Sequence, residues 1–301
     1  MLKVLRLPAI ASLVLATTVL GGGAAGATEA HHQHSNTCTG TLAAPGVLAG
    51  TYRGDVVVTG VCAVNGGAAV IKGDLILAPG SALDATFALN DVAKTGTSSL
   101  TVRGDVKVGE DAVLGMGCEP NFSPCSDDPN AAMGGTLTGQ NHVFGDVEAW
   151  RALAIIVHAS SIRGDASLRG GGGGVTCAVP ATGVFAALNS PVFSTFENNT
   201  IGGDLTMTGL RTCWLGALRN NVRKNVVDAN NTMADPDADE ILANHIDGSI
   251  ACFDNSPAVQ YGDSASSPNK VERHASGECA FNVRQPNPSP SGPLEPISVK
   301  I

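Results

Sequence analysis

The chain has 301 residues, 43 % of them hydrophobic and 4 % aromatic, with 37 glycines and a net charge of −9. Residues 1–27 hold two of the 18 basic residues and none of the 27 acids, so the remainder carries −11. That balance argues against nucleic acid and against anionic membrane surfaces as partners.

In chain order, the first element is a secretory leader over residues 1–27. Lys3 and Arg6 supply its positive start, Leu7 to Leu20 its apolar middle, and Ala25-Gly26-Ala27 its small-residue cleavage site. The apolar run is short for a membrane span, and no later stretch is apolar and long enough to be one, so the expectation is a secreted protein. Residues 28–35 form a polar tail with His31, His32 and His34.

From about residue 36 to 282 one short phrase keeps returning: Val102-Arg103-Gly104-Asp105-Val106-Lys107-Val108, Ile162-Arg163-Gly164-Asp165-Ala166-Ser167-Leu168, Ile201-Gly202-Gly203-Asp204-Leu205-Thr206-Met207. Aligned on its aspartate, copies fall at Asp55, Asp74, Asp105, Asp146, Asp165, Asp204, Asn225, Ser249 and, weakly, His274. The intervals are 19, 31, 41, 19, 39, 21, 24 and 25 residues. The short ones match one coil of a β-solenoid; the long ones read as coils with a surface insertion or with a degenerate coil between. Apolar residues recur three before the aspartate and one and three after it, which is strand alternation. The predicted fold is therefore all-β, a parallel β-helix over 36–282. Its two large insertions are 118–141 and 169–199, the second opening on Gly170 to Gly174. That run lacks the Lys-Ser/Thr ending of a phosphate loop and reads as a flexible lead-in. Residues 283–301 hold five prolines and read as an extended or disordered tail.

Eight cysteines in an exported chain suggest four disulfides. Cys38 and Cys62 are 24 apart, and Cys252 and Cys279 are 27 apart, each about one coil. Neighbouring coils stack at about 4.8 Å, within disulfide reach, so each pair would staple a terminal coil. Cys118 and Cys125 would close a local loop, leaving Cys177 for Cys213. No Cys-x-x-Cys or Cys/His spacing favours zinc.

The segments Thr208 to Trp214, Arg219-Asn220-Asn221-Val222, Asp235-Pro236-Asp237 and Asn255 to Ser264 resemble a group of secreted actinobacterial proteins of unknown function, whose repeats read Ile-Gly-Gly-Asn-Leu. The resemblance covers most of residues 50–280 and implies a β-solenoid and export, with no assigned activity. This chain departs from it by carrying Asp at six positions where Asn is usual. A weaker likeness is to bactofilins, the polymerising bacterial β-helices. Those are cytosolic and lack disulfides, so polymerisation does not carry over.

Several local patterns have structural readings. Arg-Gly-Asp at 53–55, 103–105 and 163–165 resembles an adhesion motif but falls on the repeat itself. Gly262-Asp263-Ser264-Ala265 resembles a protease nucleophile loop without a base in context. Asp235, Asp237 and Asp239 begin like a calcium loop, but Glu240 and Ile246 stand at its sixth and twelfth positions, so it is not an EF-hand. They are the weak metal candidates, and Ca²⁺ is the one cofactor considered. The aspartate column either points outward, offset by basic residues two positions earlier, or marks corners where it accepts N–H bonds. The later substitutes Asn225 and Ser249 favour the second.

No residue is assigned as catalytic. The sequence leads to a non-catalytic structural or binding protein outside the cell, with a cell-envelope or extracellular polysaccharide or protein as partner and its oligomeric state open. The alternative is a polysaccharide lyase or hydrolase on a β-helix. Unlike groups would converge only where an insertion folds over the coils, with Asp127, Asp128 and His142 the first residues to suspect.

Overall fold

A computed structural model describes residues 36–260 and 267–281, and the backbone alone of 283–284. The tail histidines, Ser264 and the proline-rich end lie outside the described residues. The fold is a parallel β-helix. Most coils lay one short strand in each of three main sheets, of ten, eight and ten strands, all paired in parallel, and a two-stranded parallel sheet joins Arg211–Thr212 to Thr232–Met233. The first sheet follows the Gly-Asp corner, and the chain then passes to the second and third sheets before the next Gly-Asp.

The register is that of the aspartate alignment. In the first sheet Val56 pairs with Leu75, then come Val106, Val147, Ala166, Leu205, Val226, Ile250 and Ala275. Every interval, long or short, is one coil. The apolar residues flanking each aspartate point inward: Ile71, Val102, Ile162 and Ile201 before it, and Leu75, Val106, Leu205 and Met207 after it, are 0–1 % exposed. A coil this thin buries nothing alone, so the core exists only as a stack.

The aspartates sit at corners, and each one's Oδ1 accepts the backbone N–H of the equivalent residue one coil on. Asp74 N–H donates to Asp55 at 2.8 Å, and Asp105, Asp146, Asp165 and Asp204 repeat the bond at 2.8–3.0 Å. The column continues through Asn225 to Ser249 and His274. The glycine before each aspartate is explained by close approach. A Cβ on Gly73, Gly104, Gly145, Gly164 or Gly203 would collide with the preceding coil's Asp Oδ1, whereas at Gly54, with no aspartate before it, the nearest atom is 3.6 Å away. The Arg-Gly-Asp carboxylates are thus engaged within the stack. The basic residues two places earlier do not offset the column among the described residues. Arg103 and Arg163 instead flank the Phe144 ring at 4.1 and 5.4 Å, and Lys107 and Lys224 pair with Asp74 and Asp165.

Insertions leave only at corners. Residues 86–98 and 118–141 emerge between the second and third sheets, and 170–192 between the first and second. The second large insertion is shorter than the sequence suggested, because Phe193–Glu197 is a strand of the second sheet. Its glycine run is bonded into the stack rather than free: Gly172 N–H donates to Ala152 O at 3.0 Å, Gly174 N–H to Arg211 O at 2.8 Å, and Gly171 O accepts from Arg211 N–H at 2.9 Å. All five glycines have φ of +66° to +97°, the left-handed region that glycine enters at little cost. Beyond it, Phe185 packs edge-on against Phe193 and covers the outer face of the second sheet near Ala154.

The disulfides are Cys38–Cys62, Cys118–Cys125, Cys177–Cys213 and Cys252–Cys279, with no free cysteine. The first and last tie terminal coils to their neighbours, with Cα atoms 6.4 and 5.3 Å apart. Non-reducing peptide mapping should return these four pairs; a Cys62–Cys118 link would contradict the coil register. Replacing Cys38 and Cys62 together by alanine should lower unfolding free energy by about 2–4 kcal/mol in denaturant titration.

Candidate functional site

The corner between the second and third sheets repeats one design. A strand ends at His158, Glu197, Leu218 or Leu242; the next residue, Ala159, Asn198, Arg219 or Ala243, is left-handed with φ of 45–57°. The residue after that begins a second side-chain ladder, now inside the protein. Asn199 N–H donates to Asn220 Oδ1, Asn220 N–H to Asn244 and Asn244 N–H to Asn269, at 2.9–3.0 Å. Each amide NH₂ also reaches a carbonyl: Asn199 to Val157, Asn220 to Phe196, Asn244 to Ala217 and Asn269 to Ile241. These asparagines are 0–1 % exposed, so an amide that donates and accepts is tolerated where a carboxylate would not be.

Over this corner the 118–141 insertion folds back, leaving an open cleft of about 330 Å³ lined by Glu119, Gln140, His142, Asn198 and Thr200. The insertion is anchored by the two aspartates suspected from sequence. Asp127 accepts the N–H groups of Ala88 and Leu89. Asp128 accepts those of Asn130, Thr136 and Leu137. Both carboxylates are occupied in holding the loop, whereas His142 does line the cleft.

The unlike groups that converge are others. His158 and Glu197 face each other in register on adjacent coils, with Nδ1 3.9 Å from Glu197 Oε2. Glu119 comes in from the insertion. One donor atom each from Glu119, His158 and Glu197 lie within 4.8 Å of one another. Glu197 is held by Thr195 Oγ1 at 2.8 Å and by Arg219 Nη2 at 2.7 Å. Arg219 also donates to Asn198 Oδ1 at 3.1 Å and lies 3.7 Å over the Phe122 ring, and Asn198 in turn donates to Glu119. Burial pushes Glu119 above the usual carboxylate range, although the Asn198 bond opposes it. Burial pushes His158 below the usual imidazole range, outweighing the pull of Glu197. Sequence reasoning missed this trio. Its signal was a His and a Glu seven residues before Asp165 and Asp204, in a column that holds leucine before Asn225 and Ser249.

The calcium-like acids are dispersed. Asp237 is exposed, with its N–H on Asp235 Oδ1. Asp239 is fully buried beside Asp228, whose carboxylate accepts from Asn231 and Asn255. The three candidates therefore do not gather into a cation site. Burial raises Asp228 to about 7, and burial with the Asp228 charge raises Asp239. Protons are bound more tightly in the folded state than in the unfolded one. The contribution to stability is full below the ordinary value near 4 and is lost as pH rises through about 7. Melting temperature should therefore fall between pH 5 and pH 8. Asp239→Asn, which supplies a permanent donor beside Asp228, should shrink that fall, and an unchanged pH profile would contradict it.

No family model matches the chain, and no curated protein or solved structure matches it either. The reading of function rests on the site and the fold.

Proposed function

We propose that this is a secreted, non-catalytic scaffold or binding protein of the cell surface or extracellular space, a rigid β-solenoid that belongs with the secreted actinobacterial solenoids it resembles. The observation that carries the reading is the corner ladder running through nine coils from Asp55 to His274. It places like residues in columns, which suits endurance and repeated contact more than chemistry. The four disulfides point to an oxidising extracellular environment, and no helix among the described residues is long and apolar enough to cross a membrane. The polar cleft under the 118–141 insertion is the natural place for a polysaccharide or a polar segment of another protein.

A second reading, a polysaccharide-cleaving enzyme, is favoured by one observation. Glu119 and Glu197 occupy contrasting environments a few ångströms apart, the first pushed up by burial, the second bonded to Arg219. Two carboxylates close together in unlike surroundings are the kind of pair that acid–base cleavage of a glycosidic bond uses. The mature protein, assayed on pectins, alginates, glycosaminoglycans and general esterase and protease substrates with and without calcium, should show no turnover while retaining ligands on a polysaccharide array. Turnover that vanishes in Glu119→Gln would replace the first reading with the second.

A further inference from the structure

We propose that Glu119, His158 and Glu197 form a binding site for one divalent transition-metal cation, Zn²⁺ or a first-row neighbour, in the wall of the cleft.

The first argument is an unmet bonding capacity. His158 is 2 % exposed, and neither ring nitrogen has a hydrogen-bond partner. A buried polar atom without a partner costs free energy, and native proteins rarely leave one. Nδ1 lies 3.9 Å from Glu197 Oε2, too far for a hydrogen bond but a gap that a shared cation fills. Metal–ligand bonds of about 2.0–2.2 Å put tetrahedral donors about 3.4 Å apart, so the His158–Glu197 pair at 3.9 Å has little to close, and Glu119, within 4.8 Å of both, has further to come. Glu119, carried on the insertion rather than on a coil, is placed to make that movement. The cation takes up Nδ1, and Nε2 keeps its proton.

The second argument is the donor set. One imidazole nitrogen and two carboxylate oxygens suit zinc and its first-row neighbours, whereas calcium prefers oxygen alone. Thiols do not compete, since every cysteine is in a disulfide. Glu197 is oriented from outside by Thr195 and Arg219, the kind of support that metal-binding carboxylates receive. Arg219 uses one lone pair of Oε2 and leaves the other free. Two carboxylates against one guanidinium leave a net negative site for the cation. Glu119 lines the cleft, so the remaining coordination position faces solvent and any ligand in the cleft. The site stands whether or not the cleft turns over a substrate.

The test is titration of the mature chain with ZnCl₂ by calorimetry and with CoCl₂ by visible absorption. The chain carries His31→Ala, His32→Ala and His34→Ala, so that the tail does not contribute. One equivalent should bind, with a cobalt band in the visible. Glu119→Gln and His158→Gln should each weaken binding at least tenfold; should one variant fail to fold by circular dichroism, the other decides. Absence of saturable binding in the parent, or unchanged affinity in a folded Glu119→Gln or His158→Gln, would overturn the proposal.

Discussion

The structure depends on a side-chain oxygen accepting the backbone N–H of the equivalent residue in a neighbouring coil. In a parallel β-helix the strands are short and the corners many. At a corner the chain leaves the sheet ladder, and an N–H left unpaired in a buried place costs about 1–3 kcal/mol. Here each of two corners has its own solution. At the exposed Gly-Asp corner a carboxylate suffices, because its second oxygen meets water or a lysine such as Lys107. At the buried corner the residue is asparagine, whose NH₂ must also be satisfied and finds a carbonyl each time. The two columns run in opposite senses. An aspartate serves the coil after it, as Asp146 serves Asp165; an asparagine serves the coil before it, as Asn220 serves Asn199. Coils are thereby locked from both sides.

Much of this was legible. The aspartate alignment is the structural register because Gly-Asp is a steric and hydrogen-bonding unit, so substitution at either position is constrained. Cysteine spacing worked for the same reason, one coil being both the sequence period and the stacking distance. The asparagine ladder stands in the sequence too, five residues before Asp146, Asp204, Asn225, Ser249 and His274. It went unread because Ser160 interrupts it and because polar residues in a solenoid are ordinarily taken as exposed. The Glu119 half of the cleft was not legible. It lies in an insertion whose path over the coils is set by tertiary anchors, Asp127 and Asp128, that themselves looked like functional acids.

The division of labour follows. Coils mostly present columns of like side chains; the His158–Glu197 column departs from this, and an insertion brings further unlike groups against it. The 118–141 insertion does so through a network linking Phe122, Arg219, Glu197, Asn198 and Glu119. The stack can carry such polar burial, and the Asp228–Asp239 pair near its end, because the remaining core of Val, Ile, Leu and Ala is continuous from Leu48 to Val271.

The most direct test of the ladder account is urea unfolding of Asn220→Ala. That change leaves four bonds unmade at a site 1 % exposed: those Asn220 accepts from the Asn199 N–H and NH₂, and those it donates to Phe196 O and Asn244 Oδ1. The account predicts a loss of about 2–4 kcal/mol, against less than about 0.5 kcal/mol for Arg223→Ala on the exposed face of the same coil. An Asn220→Ala protein as stable as its parent would contradict it.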